Sequence, residues 1–141
     1  VDLYAGGGLF GLGLLSVGVE DVTLVEGDPV SGADLQSNAD PYRPWARVER
    51  SSVEAFLAGR RSLRPATMIV DPPRTGLSRD AVAGILALEP RRLVYVSCDV
   101  ATLARDARAL IDGGYTLGPI TGLDLFPNTA HVETVAVMER A

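Results

Sequence analysis

Five short apolar segments alternate with five helix-patterned segments along this 141-residue chain and two further extended segments close it, so the sequence predicts an α/β fold on a mostly parallel sheet. Three observations carry that prediction. The runs at 22–25, 67–70 and 94–96 are almost wholly β-branched or aliphatic, as strands buried on both faces must be. The segments between them show helical spacing, for example Val82, Ile85 and Leu86. The final pair, 115–125 and 132–138, has no long helix between its members and therefore predicts a hairpin-like antiparallel strand at the end. Helices on both faces of the sheet follow from the alternation.

Taken in order, residues 1–4 read as the first strand, and Ala5-Gly6-Gly7-Gly8-Leu9-Phe10-Gly11 forms a turn before a helix at 12–17. Strand 22–25 ends in Glu26, and a helix at 29–39 follows, with Pro29 in its first turn and Asp28 as its cap. Residues 40–45 are a loop and 46–49 a short strand. Ser51-Ser52-Val53-Glu54 fits a capping box opening a helix through Leu57, and 59–65 is a surface connection. Strand 67–70 is closed by Asp71-Pro72-Pro73-Arg74, and helix 78–88 stops before Pro90. Strand 94–96 leads to Cys98, and the helix at 101–111 is ended by Gly113-Gly114.

Composition narrows the functional classes. Hydrophobic residues make up 47% and charged residues 22%, with no apolar run near the roughly 18 residues that a membrane span requires. The expectation is one cytoplasmic domain over residues 1–141, without a membrane partner. One cysteine and one histidine argue against a disulfide or a dedicated metal site. All thirteen basic residues are Arg, which excludes a phosphate-loop lysine or a Schiff base. A net charge of −5 argues against gripping a polyanion by charge alone.

Four stretches carry chemistry. Cys98 falls in a strand-to-helix turn, where helix amides favour a thiolate; alone it reads equally as an inert core thiol. Gly6, Gly8 and Gly11 spell G-x-G-x-x-G, with Glu26 twenty residues beyond Gly6. That geometry suits any cofactor with an adenosine ribose, whether a dinucleotide or S-adenosylmethionine. The two prolines after Asp71 fix a stiff loop holding a carboxylate, although Asp-Pro-Pro is also an ordinary way to leave a strand. In Phe126-Pro127-Asn128-Thr129-Ala130-His131-Val132-Glu133, the terminal carboxylate has apolar neighbours that suit a base near neutrality; otherwise it is a solvated strand end, and His131 a hydrogen-bonding residue.

Together, residues 2–8, Val25-Glu26-Gly27, residues 71–77, residues 95–106 and residues 123–133 resemble, in order, the motifs of the S-adenosylmethionine-dependent RNA 5-methyluridine methyltransferases. The resemblance spans essentially the whole chain, and it implies a Rossmann-like class I methyltransferase sheet of seven strands, the last one antiparallel. It implies Cys98 as the nucleophile at C6 of a uridine and Glu133 as the base at C5. It implies Tyr4, Gly6 and Gly8 lining the cofactor, Glu26 on its ribose, Ser52 near the adenine, and Asp71 at the cofactor or the base. Arg74, Phe126 and His131 would face the substrate, a structured rRNA or tRNA. Four places depart from the family pattern: Ala5 for Cys, Leu9 for a cofactor-contacting Asn, Asp99-Val100 for Asn-Pro, and Asn128 for His or Tyr. Family members also carry upstream segments, including an RNA-binding β-barrel in many and a glutamine that contacts the cofactor. The chain is therefore expected to be a monomeric fragment that binds cofactor weakly and RNA poorly by itself. Competing readings are a small-molecule methyltransferase, an NAD(P) dehydrogenase, for which no Tyr-x-x-x-Lys pair is visible, and a non-catalytic RNA-associated domain.

Overall fold

The apolar runs form seven strands in one sheet: β1 (Asp2–Leu3), β2 (Val22–Val25), β3 (Ala46–Glu49), β4 (Thr67–Val70), β5 (Arg92–Ser97), β6 (Tyr115–Leu123) and β7 (Glu133–Arg140). The helices are α1 (Leu9–Ser16), α2 (Pro29–Ala39), α3 (Val53–Gly59), α4 (Arg79–Leu88) and α5 (Val100–Asp112). This is a computed structural model, and it describes residues 1–60, 62–125, 127–129 and 132–140. The strand order is β3-β2-β1-β4-β5-β7-β6. β3, β2, β1, β4 and β5 run parallel, whereas β7 is antiparallel to both β5 and β6, between which it lies. The predicted mostly parallel sheet with an antiparallel last strand is what forms.

After β3 the chain crosses back to place β4 on the other side of β1, so the order reverses between β1 and β4. In an open α/β sheet, that reversal opens a crevice at the carboxyl ends of the strands. The helices divide between the two faces. Leu15 of α1 and Leu35 of α2 pack with Val22 and Leu24 on one face. Residues of α3, α4 and α5, among them Phe56, Ile85 and Leu110, cover Leu3, Val70, Leu93, Tyr95 and Met138 on the other.

Three of the differences from the sequence expectation have a local reason. β1 stops at Leu3 because Tyr4 turns left-handed, with φ 60°. α1 begins at Leu9 rather than at residue 12, because Gly8 adopts φ 101° and accepts the Leu12 N–H at 2.9 Å. A Cβ at Gly8 would lie 2.4 Å from Leu12 Cδ1 and 2.9 Å from Leu35 Cδ1, so only glycine fits this corner. The cap of α3 is Ser52, which accepts the Ala55 N–H at 3.2 Å, rather than a box between Ser51 and Glu54. Glu54 instead accepts the Ser78 hydroxyl at 2.7 Å, linking α3 to α4.

Gly8 has no side chain with which to cap α1, and Asp2 supplies the missing acceptor from β1. Its Oδ2 accepts the Gly11 N–H at 2.8 Å, while the buried Oδ1 has no partner among the described residues. Burial therefore pushes the Asp2 carboxyl up to about 6, against the opposing effect of the Gly11 N–H.

Two outcomes follow for stability. Gly84 lies in α4 where a Cβ would be 2.7 Å from Leu57 Cβ, whereas Gly13 in α1 has open space around that position. Gly84→Ala should lower stability by about 1–2 kcal/mol, because overpacking exceeds the gain in helix propensity, and Gly13→Ala should raise it by about 0.5–1 kcal/mol in thermal unfolding. For Asp2 the folded value lies above the ordinary 3.8, so the native state binds the extra proton between the two values. Its stability contribution is complete at low pH and is lost as pH rises through about 6. Asp2→Asn, which keeps an acceptor for Gly11, should reduce the fall in urea-measured stability between pH 4 and pH 7 by up to about 3 kcal/mol.

Candidate active site at the carboxyl edge of the sheet

Parallel pairing aligns the carboxyl ends of the central strands. Leu3 pairs with both Val25 and Val70, and Val70 pairs with Tyr95, so Tyr4, Glu26 and Asp71 leave the sheet side by side, with Cys98 close beyond on β5.

On one side of this rim stands the glycine loop. Glu26 Oε2 accepts the Gly6 N–H at 2.8 Å and Oε1 accepts the Asp28 N–H at 2.6 Å, so one half-buried carboxylate joins the loop after β1 to the loop after β2. Asn38, at the end of α2, donates to the Gly7 carbonyl at 3.0 Å from the outer side. A Cβ built at Gly6 meets nothing within 4 Å, so the backbone there faces open space. Gly27 passes close to the next turn; a Cβ on it would be 3.3 Å from Ser52 Cα. Gly6, Glu26 and Ser52 thus border one stretch of backbone, with Gly8 turned into the packing of Leu12 and Leu35. Leu9, at the start of α1, is 79% exposed above it, and Ala5 is buried beneath it.

On the other side, β5 and β7 bring two further groups together. Ser97 pairs with Thr134 at the end of the β5–β7 ladder, so Cys98 leaves β5 at the same end of the sheet where Glu133 begins β7. The Cys98 thiol is free and half-buried. Ser97 Oγ donates to the Asp99 carbonyl at 2.9 Å and accepts the Asp99 N–H at 3.1 Å, which closes the turn around the cysteine. Asp99 caps α5 by accepting the Thr102 N–H at 2.9 Å, and that bond holds its carboxyl below the usual range, with the Arg74 charge a lesser contributor. The carboxyl of Asp71 is pushed up to about 6, first by burial and then by the negative charge of Glu133. Asp71, Glu133, Cys98 and Arg74 therefore share one end of the rim.

Tyr4 lies between the two groups. It is half-buried in a conformation that non-glycine residues adopt at a cost, and its hydroxyl is raised to about 12 by burial and by the fields of Glu54 and Asp106. Phe126 and His131 lie outside the described residues, as does no other predicted site residue. Asn128, one of the departures from the motif, has φ 66°. A cavity of about 420 Å³ lined by Thr67, Arg91, Arg92 and Glu139 opens at the opposite edge of the sheet, and no predicted site residue lines it. Among the described residues no cluster of three or more His, Cys, Asp or Glu is placed to hold a metal ion, and no helix is long and apolar enough to cross a membrane.

Sequence reasoning gave no role to Asp2, Asn38 or Asp106, each of which holds a loop of this rim. A signal existed for Asp106, an acid on the apolar stripe of α5 with Leu103, Ala107 and Leu110. For Asn38, whose partner is 31 residues away in sequence, there was none.

Comparison with known proteins places this arrangement. The family described as tRNA (Uracil-5-)-methyltransferase matches residues 30–141. An uncharacterised RNA methyltransferase of Streptomyces coelicolor is 38% identical over 143 residues, covering 100% of this chain and 31% of that protein. One from Caldanaerobacter subterraneus subsp. tengcongensis is 34% identical over 99% of this chain and 31% of its own length. The chain thus spans about a third of the length of these relatives. Among solved structures, the Pyrococcus abyssi tRNA (uracil-54, C5)-methyltransferase in complex with S-adenosyl-L-homocysteine superposes with a TM-score of 0.83 at 33% identity, over 97% of this chain and 33% of that one. A Streptococcus pneumoniae methyltransferase that is 14% identical superposes with a TM-score of 0.80 and shares the fold. With the family model matching residues 30–141 and this sheet order beneath it, this chain belongs to the tRNA (uracil-5-)-methyltransferase family.

Proposed function

We propose that the chain is the catalytic part of an RNA methyltransferase that transfers a methyl group from S-adenosylmethionine to C5 of a uridine in rRNA or tRNA. The observation that carries this reading is the pairing of Ser97 with Thr134, which brings the start of β7 and the end of β5 to the same edge of the sheet as the glycine loop and Glu26. The P. abyssi relative, with S-adenosyl-L-homocysteine in its structure, supports the choice of cofactor.

The chemistry needs a covalent nucleophile because uracil C5 alone is too weak to attack a methyl group. Cys98 adds as thiolate to C6, and the C5=C6 electron pair moves into an enolate whose carbon terminus is C5. Bound S-adenosylmethionine supplies an electrophilic methyl carbon. Once C5 is methylated, Glu133 takes the C5 proton, the electron pair re-forms C5=C6, and the Cys98 thiolate is expelled. Asp71, with its carboxyl near 6, can act as hydrogen-bond donor or acceptor toward the base or the cofactor around neutrality. Arg74, Phe126 and His131 would complete the substrate side.

Gly6 offers backbone without a side chain where the cofactor would lie, Gly8 would shape the corner beside it, Tyr4 would line it, and Glu26 retains lone pairs for the ribose hydroxyls beyond those given to Gly6 and Asp28. Ser52 borders the adenine side. The target nucleotide must leave its stack to reach such a rim, which favours a loop in a structured RNA. The net charge of −5 fits a protein that grips RNA mainly through regions outside these residues, in the cytoplasm.

Glu26→Ala should weaken S-adenosylhomocysteine binding at least about tenfold in isothermal titration, since it removes both the ribose acceptor and the tie on Gly6. Loss of no affinity would place the cofactor elsewhere. Cys98→Ala should abolish the denaturation-resistant adduct with a 5-fluorouridine RNA. Glu133→Gln should instead accumulate an adduct with ordinary uridine RNA, because addition and methylation precede the blocked elimination. A methyl transfer that survives Cys98→Ala would favour a small-molecule methyltransferase.

A further inference from the structure

Asp106 lies on the apolar stripe of α5 and is 2% exposed. A carboxylate so placed is costly unless its lone pairs are filled. Here they are filled from three parts of the chain. Oδ2 accepts the Leu77 N–H at 2.7 Å and the Tyr95 hydroxyl at 2.6 Å, while Oδ1 accepts Arg105 Nε at 2.8 Å. Arg105 Nη2 goes on to donate to the carbonyls of Thr75 at 2.9 Å and Leu77 at 3.3 Å. The loop from Asp71 to Leu77 is thus held at both an N–H and two carbonyls. Gly76 records how closely it is held: at φ +75°, a Cβ there would lie 2.5 Å from Asp106 Oδ2 and 2.6 Å from Arg105 Nη2. The Gly76 N–H closes the turn on the Pro73 carbonyl at 2.7 Å.

The other end of the tie is Tyr95, which is fully buried, pairs with Val70 immediately before Asp71, and stands three residues before Cys98 on β5. One carboxylate therefore connects the strand that delivers the cysteine to the loop that delivers Asp71 and Arg74. The glycine loop is held separately, by Asp2, Glu26 and Asn38.

We propose that Asp106, with Arg105 and Tyr95, is a positioning residue of the site, holding the 71–77 loop so that Asp71 and Arg74 stand beside Cys98. Its functional consequence rests on the uridine reading above; the mechanical part does not. A merely structural carboxylate would change global stability alone. A positioning one loosens the 71–77 loop locally and impairs the base side while sparing the glycine loop.

The test compares the wild-type chain with Asp106→Asn, Arg105→Lys and Tyr95→Phe by hydrogen exchange and trapping of a 5-fluorouridine RNA in the presence of S-adenosylmethionine. For Asp106→Asn, exchange across 72–78 should rise roughly tenfold with the 5–11 segment unchanged, while trapping slows at least tenfold. Arg105→Lys, which cannot bridge the carboxylate and two carbonyls at once, should show the same pattern more weakly, as should Tyr95→Phe. If Asp106→Asn does not fold, these two variants decide the matter. Exchange across 72–78 equal to wild type in the folded variants overturns the proposal, and so does a rise spread evenly over the whole chain. Because RNA is gripped mainly outside these residues, a wild-type chain that traps no RNA leaves the exchange pattern to decide the positioning role.

Discussion

The antiparallel register between β5 and β7 is the constraint on which the site depends. Side chains alternate along a strand, so a slip of one residue would turn Ala136 and Met138 out of the core and move Glu133 away from Cys98. The burial of Ala136 and Met138 against Leu93 and Tyr95 therefore sets both the packing of that face and the meeting of the two groups proposed for the chemistry. β7 can take this place only because it arrives last and threads between β5 and β6. Its partner β6 is the edge strand, and there Pro119 and the register shift between Leu117 and Ile120 interrupt regular pairing.

A second theme is the use of carboxylates as acceptors for loop amides. Asp2 takes Gly11, Glu26 takes Gly6 and Asp28, Asp28 takes Val30 and Ser31, Asp99 takes Thr102, and Asp106 takes Leu77. Each satisfies an N–H at a helix start or a loop turn that no strand or helix could reach. The chain is acidic overall, and part of that acidity is structural, spent on shaping the carboxyl edge of the sheet. Such bonds to charged acceptors are stronger than neutral ones, which suits loops that must present backbone to a ligand.

These ties fall into two groups, which gives the rim two independently supported halves. Asp2, Glu26 and Asn38 hold the glycine loop, whereas Asp106, Arg105 and the Ser97–Asp99 turn hold the part around Cys98. Tyr4 is the residue common to both, strained in its backbone and under the field of Asp106 from across the sheet.

Local chemistry was enough to read the strands, the helices, the glycine loop, Glu26 at the second strand and Cys98 at the fifth, because those signals are apolar runs, helical spacing and turn residues close together in sequence. The helix cap at Asp28 was legible for the same reason, an acceptor two or three residues before the amides it takes. Only the tertiary structure decided that Ser52 rather than Ser51 caps α3, that Asp2 caps α1 across nine residues, and that Asp106 belongs to a loop 29 residues away. It also decided that β7 lies between β5 and β6, with Thr134 paired to Ser97. The physical reason is common to the last three: each depends on pairing register or on the close approach of groups distant in sequence, and both are settled by packing the whole sheet rather than by any segment's own preference.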